Sequence, residues 1–197
     1  MSFVDELKKW AEQLAREAAP IDPAKFNDPA ALKTEWTPLA RGGASFRTHR
    51  LVELGPEQLG MKKSLKLYLF GGVFLVIGLT VSVFAAVSAA WPALLVGLPF
   101  TAVGAAFVWP RTLAFDGSMR QFTSRKPPVP FTTIQAIQLV KEFVRTKNSS
   151  YHSYELNLVL TDGTRVNVVD HADLPSIRAD AERIRRMIGC KLWDGTT

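Results

Sequence analysis

The sequence predicts an α+β membrane protein with a two-helix transmembrane hairpin and a cytoplasmic antiparallel sheet, or partial barrel, capped by a C-terminal helix. The distribution of charge is the first observation. Residues 67–110 contain no Asp, Glu, Lys, Arg or His, although 21% of the 197 residues are charged. The second observation is that the chain after this stretch alternates apolar and polar residues around short turns, which is typical of strands. The two patterns predict a membrane part and a sheet part.

The uncharged stretch is too long for one membrane helix. A bilayer core is spanned by about 20 helical residues, whereas 44 residues would form a rod of about 66 Å. We therefore expect two spans, at about 67–89 and 92–110, with a turn at Ala89-Ala90-Trp91-Pro92. Proline suits the first turn of a new helix, and tryptophan favours the membrane interface. A buried helical hairpin in a soluble core is the alternative.

The charges beside the spans predict their orientation. Residues 41–66 carry six Lys and Arg against two Glu, and residues 111–126 carry four against one Asp. Basic residues are enriched in cytoplasmic loops, so both termini are placed in the cytoplasm and the protein in the cytoplasmic (inner) membrane. The net charge of +6 is thereby explained without nucleic acid. Membrane lipid and a membrane protein, or a second copy of the chain, are the expected partners.

Small residues recur every four positions in both spans. Residues at this spacing share one helical face, so we expect two stripes that pack against each other. The stripes are Gly78, Ser82, Ala86 and Ala90 in the first span, and Ala93, Gly97, Thr101 and Ala105 in the second. Since the spans contain no ionisable residue, transport through the hairpin alone is not expected.

The chain before the first span divides into three parts. Residues 1–19 predict an amphipathic helix, with Phe3 and Trp10 as candidate contacts, and its balanced charge favours docking on protein over lipid. Residues 20–44 form a Pro-rich connector with a short helix capped by Asp28 and apolar anchors at Phe26, Leu32 and Trp36. Residues 45–66 predict short strands before the membrane.

Residues 111–194 are predicted to form the cytoplasmic domain. An Asp116-Gly117-Ser118 hairpin comes first, and a second hairpin turns at Thr161-Asp162-Gly163. A two-residue turn would pair an apolar stripe with a polar one, so we expect a three-residue loop with positive φ at Gly163. This loop pairs Leu160 with Thr164, Leu158 with Val166, and Leu156 with Val168. A helix follows, capped by Asp173 and ended by Gly189.

The segments TLAFDGSMRQFTSR, TTIQAIQLV, YELNLVLTDGTRVNVV and LPSIRADAERIRRMIG, followed by CKLWD, resemble a pleckstrin-homology-like (PH-like) domain. The chain is similar to bacterial membrane-anchored PH-like proteins. Its hairpin followed by such a domain is also similar in architecture to the photosystem I assembly factor of plastids and cyanobacteria. The resemblance implies a non-catalytic role in assembly or regulation.

Three functions are weighed on these grounds. The first is a non-enzymatic, membrane-tethered interaction or assembly module. The second is a sensor of anionic lipid headgroups, with Arg111, Arg120, Arg125 and Lys126 as the contacts. The third is an enzyme on a membrane substrate, which the sequence disfavours because no catalytic, metal-binding or cofactor motif is present. The first function is the one predicted, with no cofactor.

Overall fold

The computed structural model describes residues 5, 21–110, 113–124, 126–146 and 149–197. These residues form two compact units. The hairpin unit comprises residues 47–130, and the connector unit combines residues 21–46 with residues 131–197. The sequence placed 111–194 in a single domain. The structure divides that range after Pro130, because the first strand beyond the hairpin pairs with a strand that precedes it and the next two strands extend the same sheet.

The elements follow one another in this order: α1 (Pro29–Lys33), β1 (His49–Gly55), β2 (Gln58–Lys63), α2 (Leu65–Val87), α3 (Leu94–Val108), β3 (Leu113–Asp116), β4 (Gln121–Thr123), β5 (Val129–Pro130), β6 (Ile134–Arg145), β7 (Ser150–Leu160), β8 (Arg165–His171), α4 (Leu174–Ile188) and β9 (Lys191–Asp194). The described chain is thus α+β, as predicted. Its strands form two open sheets rather than a closed barrel. The predicted helix at residues 1–19 lies outside the described residues apart from Asp5.

The hairpin unit contains an antiparallel sheet in the order β1-β2-β3-β4-β5. Residues two apart along a strand point to the same face of a sheet, and in this sheet the residues on one face are apolar. Its buried side chains are Leu51, Leu59, Met61, Phe115 and Phe122. The rings of Phe115 and Phe122 pack with their centroids 4.7 Å apart.

Helices α2 and α3 are inserted between β2 and β3 of that sheet. The Ser64 hydroxyl accepts from the Leu67 N–H and begins α2. The chain reverses after Val87 through Ala89, whose φ is 54°, and a 3-10 turn at Trp91–Ala93. The predicted reversal at Ala89–Pro92 is therefore confirmed.

The connector unit contains a sheet in the order β8-β7-β6-β9, in which β9 runs parallel to β6. Helix α4 packs on β6, β7 and β9. The Asp173 side chain caps α4 at its start, and Gly189 ends it with a φ of 80°. Both ends of this helix are where the sequence predicts them.

The turn between β7 and β8 has the predicted conformation. Gly163 has a φ of 85°, its N–H donates to the Leu160 carbonyl at 2.9 Å, and the Leu160 N–H donates to the Thr164 carbonyl at 2.8 Å. Leu158 pairs with Val166, as predicted. Leu156 pairs with Val169 instead of Val168, because a bulge intervenes between Leu156 and Asn157. Local turn chemistry predicts the start of the register, whereas a bulge further along shifts it.

Candidate functional site

Both ends of the helical hairpin join the same end of one sheet. The last residue of β2 is Lys63, and α2 begins at Leu65. After α3, the first residue of β3 is Leu113, which pairs with Met61 on β2. Strands that are 50 residues apart in the chain are therefore direct neighbours. The hairpin is therefore inserted between two adjacent strands of the sheet, and its first and last residues lie at the same end of that sheet.

Glycine lines the contact between α2 and α3. A methyl group on Gly78 would overlap the Thr101 backbone nitrogen, and one on Gly104 would overlap the Leu75 nitrogen. A methyl group on Gly97 would overlap the Ser82 hydroxyl. The absence of side chains here lets the two backbones approach closely, as in membrane helix pairs. We call this contact the glycine seam.

Four predicted stripe residues, Gly78, Ser82, Gly97 and Thr101, lie at the seam. Ala86 is exposed, and the neighbouring Ala85 is fully buried instead. Ala90 and Ala93 belong to the turn, and Ala105 is half-buried. The buried positions on α2 are Leu67, Gly71, Gly78 and Ala85. A four-residue repeat rotates about 40° per step around a helix, whereas a seven-residue repeat stays on one face.

Away from the seam the helices are covered with exposed apolar side chains. Examples are Val83, which is 61% exposed, and Leu95, which is 80% exposed. Leu65–Val87 and Trp91–Val108, of 23 and 18 residues, are each long and apolar enough to cross a membrane. Trp91 is exposed at the reversal and Trp109 at the other end of α3.

Lys63 fastens the hairpin to the sheet. Its side chain is buried, and its ammonium donates to the carbonyls of Phe107 and Trp109, the second at 2.7 Å. These carbonyls belong to the end of α3, where helical carbonyls lack partners within the helix and the helix dipole is negative. The last residue of β2 thereby supplies hydrogen bonds to carbonyls in the last turn of α3.

The candidate lipid contacts occupy different ends of the sheet. Arg120 is in the β3–β4 turn, whose Gly117 N–H donates to the Glu57 carbonyl at the end far from the helices. Lys126 is exposed in the segment between β4 and β5, which leaves β4 at the end near the helices. Arg111, Arg125, Phe3 and Trp10 lie outside the described residues.

In the connector unit, one face of the sheet is polar and holds the connector. The Glu155 carboxylate accepts from the N–H groups of Leu39 and Ala40 at 2.9 and 3.1 Å. Similarly, Glu142 accepts from the N–H groups of Gly42 and Gly43. These side chains bind backbone groups of the connector and so fix its path across the sheet.

The remaining contacts of the connector are apolar or reach its carbonyls. Buried Gln138 donates to the Glu35 carbonyl at 2.9 Å. The rings of Phe26 and Trp36 stack at 4.8 Å and contact Trp193. Two of the three predicted anchors therefore pack as expected, whereas Leu32 is exposed. The carboxylate contacts were missed, and the polar residues at alternate positions of β6 and β7 are the signal that indicates them.

Burial changes the acidity of two groups in the connector unit. It raises the pKa of Asp170 to about 6; the Asn167 amide lowers that pKa in part, and the nearby charges of Glu155 and Glu142 raise it further. Burial also raises the pKa of the Cys190 thiol to about 11. The thiolate is the nucleophilic form of cysteine, so this side chain is held in its unreactive state at neutral pH.

No protein-family model, curated protein or solved structure matches this chain.

Proposed function

We propose that the protein is anchored in a membrane by α2 and α3 and acts there as a non-enzymatic interaction or assembly module. The observation that carries the proposal is the exposed apolar surface around both helices. Soluble monomers rarely expose contiguous apolar patches of more than a few hundred Å². A lipid environment removes that cost, while the glycine seam supplies the contact between the helices.

The attachment of the hairpin to one sheet supports a single orientation. Since β2 and β3 are neighbours, both ends of the hairpin reach the same membrane surface. The sheet of the hairpin unit is held close to this surface by Lys63, and the turn at Ser88–Trp91 lies on the opposite side. The basic residues that flank the spans support a cytoplasmic position for this sheet, at the inner membrane.

A labelling experiment tests the anchoring. Cys190→Ser removes the single cysteine, and Ser88→Cys or Met119→Cys then introduces one exposed thiol at the reversal or in the β3–β4 turn. In intact spheroplasts, a membrane-impermeant maleimide is expected to label Ser88→Cys alone. Met119→Cys is expected to react after the membrane is disrupted. Release of the chain by an alkaline wash, or equal labelling at both positions, would contradict the anchoring.

In this role, the two sheets are the parts that contact a partner. The partner is either a membrane protein or a second copy of the chain. The resemblance of the quoted sequence segments to PH-like proteins, which implies a non-catalytic role, favours this function over catalysis. Cross-linking in membranes, followed by purification and native mass measurement, is expected to return a complex of fixed stoichiometry. Residues 64–110 with the same tag are the matched control, because they share the membrane and lack both sheets. A monomer with no stoichiometric companion would overturn the assignment.

A further inference from the structure

Two basic side chains face each other on the sheet of the hairpin unit, close to the start of α2. Arg50 on β1 is the direct cross-strand partner of Lys62 on β2, and both side chains are exposed. Like charges in this arrangement are destabilising. Among the residues that the structure describes, neither forms an ion pair. The pair therefore concentrates positive charge without a structural role to explain it.

The neighbouring lysine shows what a structural role involves. Lys63 points to the opposite face of β2, where it is buried and donates to carbonyls of α3. Lys62, one residue earlier, points outward, because successive side chains alternate across a strand. The two adjacent lysines thus differ in use. The Lys63 ammonium is already hydrogen-bonded within the fold, whereas the Lys62 ammonium remains available to a ligand.

Among the paired strand residues that the structure describes, Asp116 supplies the carboxylate on the same face, and it lies at the far end of the sheet. Asp116 pairs with Gln58 and accepts from its amide at 2.8 Å. Four residues of strand separate Gln58 from Lys62, which is about 13 Å. This exceeds the Debye length of about 8 Å at physiological ionic strength, so Asp116 does not neutralise the pair. The end of the sheet next to the helices is left positive.

We propose that Arg50 and Lys62 bind the phosphate of anionic phospholipid headgroups, with Lys66, which is exposed in the first turn of α2, as a third contact. The proposal rests on the membrane anchoring proposed above, which places this end of the sheet at the headgroup level. A guanidinium binds phosphate through two parallel hydrogen bonds, and a lysine adds a point charge. The headgroup phosphate relieves the repulsion within the pair. Arg120, at the other end of the sheet, has no part in it.

The full-length chain in nanodiscs allows the test. Energy transfer from the native tryptophans to pyrene-labelled phosphatidylglycerol reports lipids next to the protein, and unlabelled phosphatidylglycerol or phosphatidylcholine competes. We expect phosphatidylglycerol to be preferred. Arg50→Gln is expected to reduce that preference about fivefold, as for one basic residue near an anionic surface. Lys62→Gln is expected to act similarly, and the double variant more strongly.

Arg120→Gln is the matched control, since it makes the same substitution in the same sheet and is expected to leave the preference unchanged. Equal losses for Arg50→Gln and Arg120→Gln, or no preference in the unaltered chain, would overturn the site. Displacement of the labelled lipid by soluble glycerol phosphate would also overturn it, in favour of a free phosphate ligand. If the chain fails to enter nanodiscs, the anchoring itself fails. A chain that is embedded without preference contradicts the headgroup site alone.

Discussion

The two units of this protein arrange apolar and polar groups in opposite ways. In the hairpin unit, α2 and α3 expose apolar side chains and place glycine at their contact. In the connector unit, apolar side chains are buried under α4, and a polar sheet face holds a backbone segment through carboxylates. The difference agrees with the proposal that the hairpin unit is solvated by lipid and the connector unit by water. Close backbone approach stabilises helices in lipid, whereas buried apolar area stabilises a domain in water.

Breaking the glycine seam is expected to have the largest effect. Gly78→Leu places a side chain against the backbone of Thr101, and this backbone cannot move aside because it belongs to a rigid helix. We expect a loss of about 3 kcal/mol or more in the free energy of unfolding, as for severe overpacking. Detergent-induced unfolding, followed by circular dichroism of the purified chain, measures it.

Gly72→Leu is the control for the seam, because nothing lies within 4 Å of a methyl group at Gly72 on the same helix. Leucine is a better helix former than glycine, so this variant is expected to be neutral or slightly stabilising. Equal destabilisation by the two variants would contradict the seam.

Lys63→Met tests the junction between sheet and hairpin. The variant removes the charged donor from carbonyls at the end of α3. Hydrogen bonds to a charged group contribute about 1.5–3 kcal/mol each, and we expect a loss of that order in the free energy of unfolding. Lys62→Met in a zwitterionic detergent is the control, with a change within about 0.5 kcal/mol. The detergent-induced unfolding assay described above measures both variants. Equal losses of stability for Lys63→Met and Lys62→Met would contradict the proposed role of Lys63.

Glu155→Gln tests the hydrogen bonds between the sheet of the connector unit and the connector segment. It replaces an ionised acceptor of the Leu39 and Ala40 N–H groups by a neutral amide. We expect a cost of about 2 kcal/mol, and faster hydrogen exchange at these two amides is the measurement. Glu35→Gln is the control, because the Glu35 carboxylate is 81% exposed and contributes little, while its buried partner Arg165 keeps its bonds to Thr37 and Gln138. Unchanged exchange at Leu39 would count against the connector contact.

Asp170→Asn is expected to have the smallest effect, and one that depends on pH. Because the folded pKa of about 6 lies above the ordinary value, the carboxylate destabilises the folded state as pH rises through this interval, and the deficit persists above it. The full shift would correspond to about 3 kcal/mol. Solvent screening of this partly buried group and the hydrogen bond from Asn167 reduce the expected gain of the variant at neutral pH to about 1 kcal/mol. Near pH 4, where wild-type Asp170 is protonated in the folded state, the gain should vanish.

Thermal unfolding of both chains across this pH range measures the Asp170 effect. Asp162→Asn is the control, since the hydrogen bonds from Thr164 lower the pKa of Asp162 and the predicted sign reverses. A gain for Asp170→Asn that is independent of pH would contradict the assignment.

Local features of the fold were predicted well. The reversal near Trp91, the Asp173 cap, the Gly163 turn and the short helix at Asp28 each depend on a few adjacent residues. Of the predicted lipid contacts, the structure describes Arg120 and Lys126 and places them at different ends of the sheet. Arg120 is far from the helices, and the Arg50–Lys62 pair was not singled out, because cross-strand pairs depend on register rather than on composition.

The sequence by itself determined where the apolar segment lies, where it reverses and which residues cap the helices, since these depend on composition and short-range spacing. The tertiary structure alone decided that β2 pairs with β3 across the hairpin, that the range 111–194 is divided, and that the connector lies on a polar sheet face. The physical reason is the range of the interactions. Strand pairing and carboxylate-to-backbone contacts join residues that are 50 to more than 100 positions apart, and no local pattern encodes which partner each will meet.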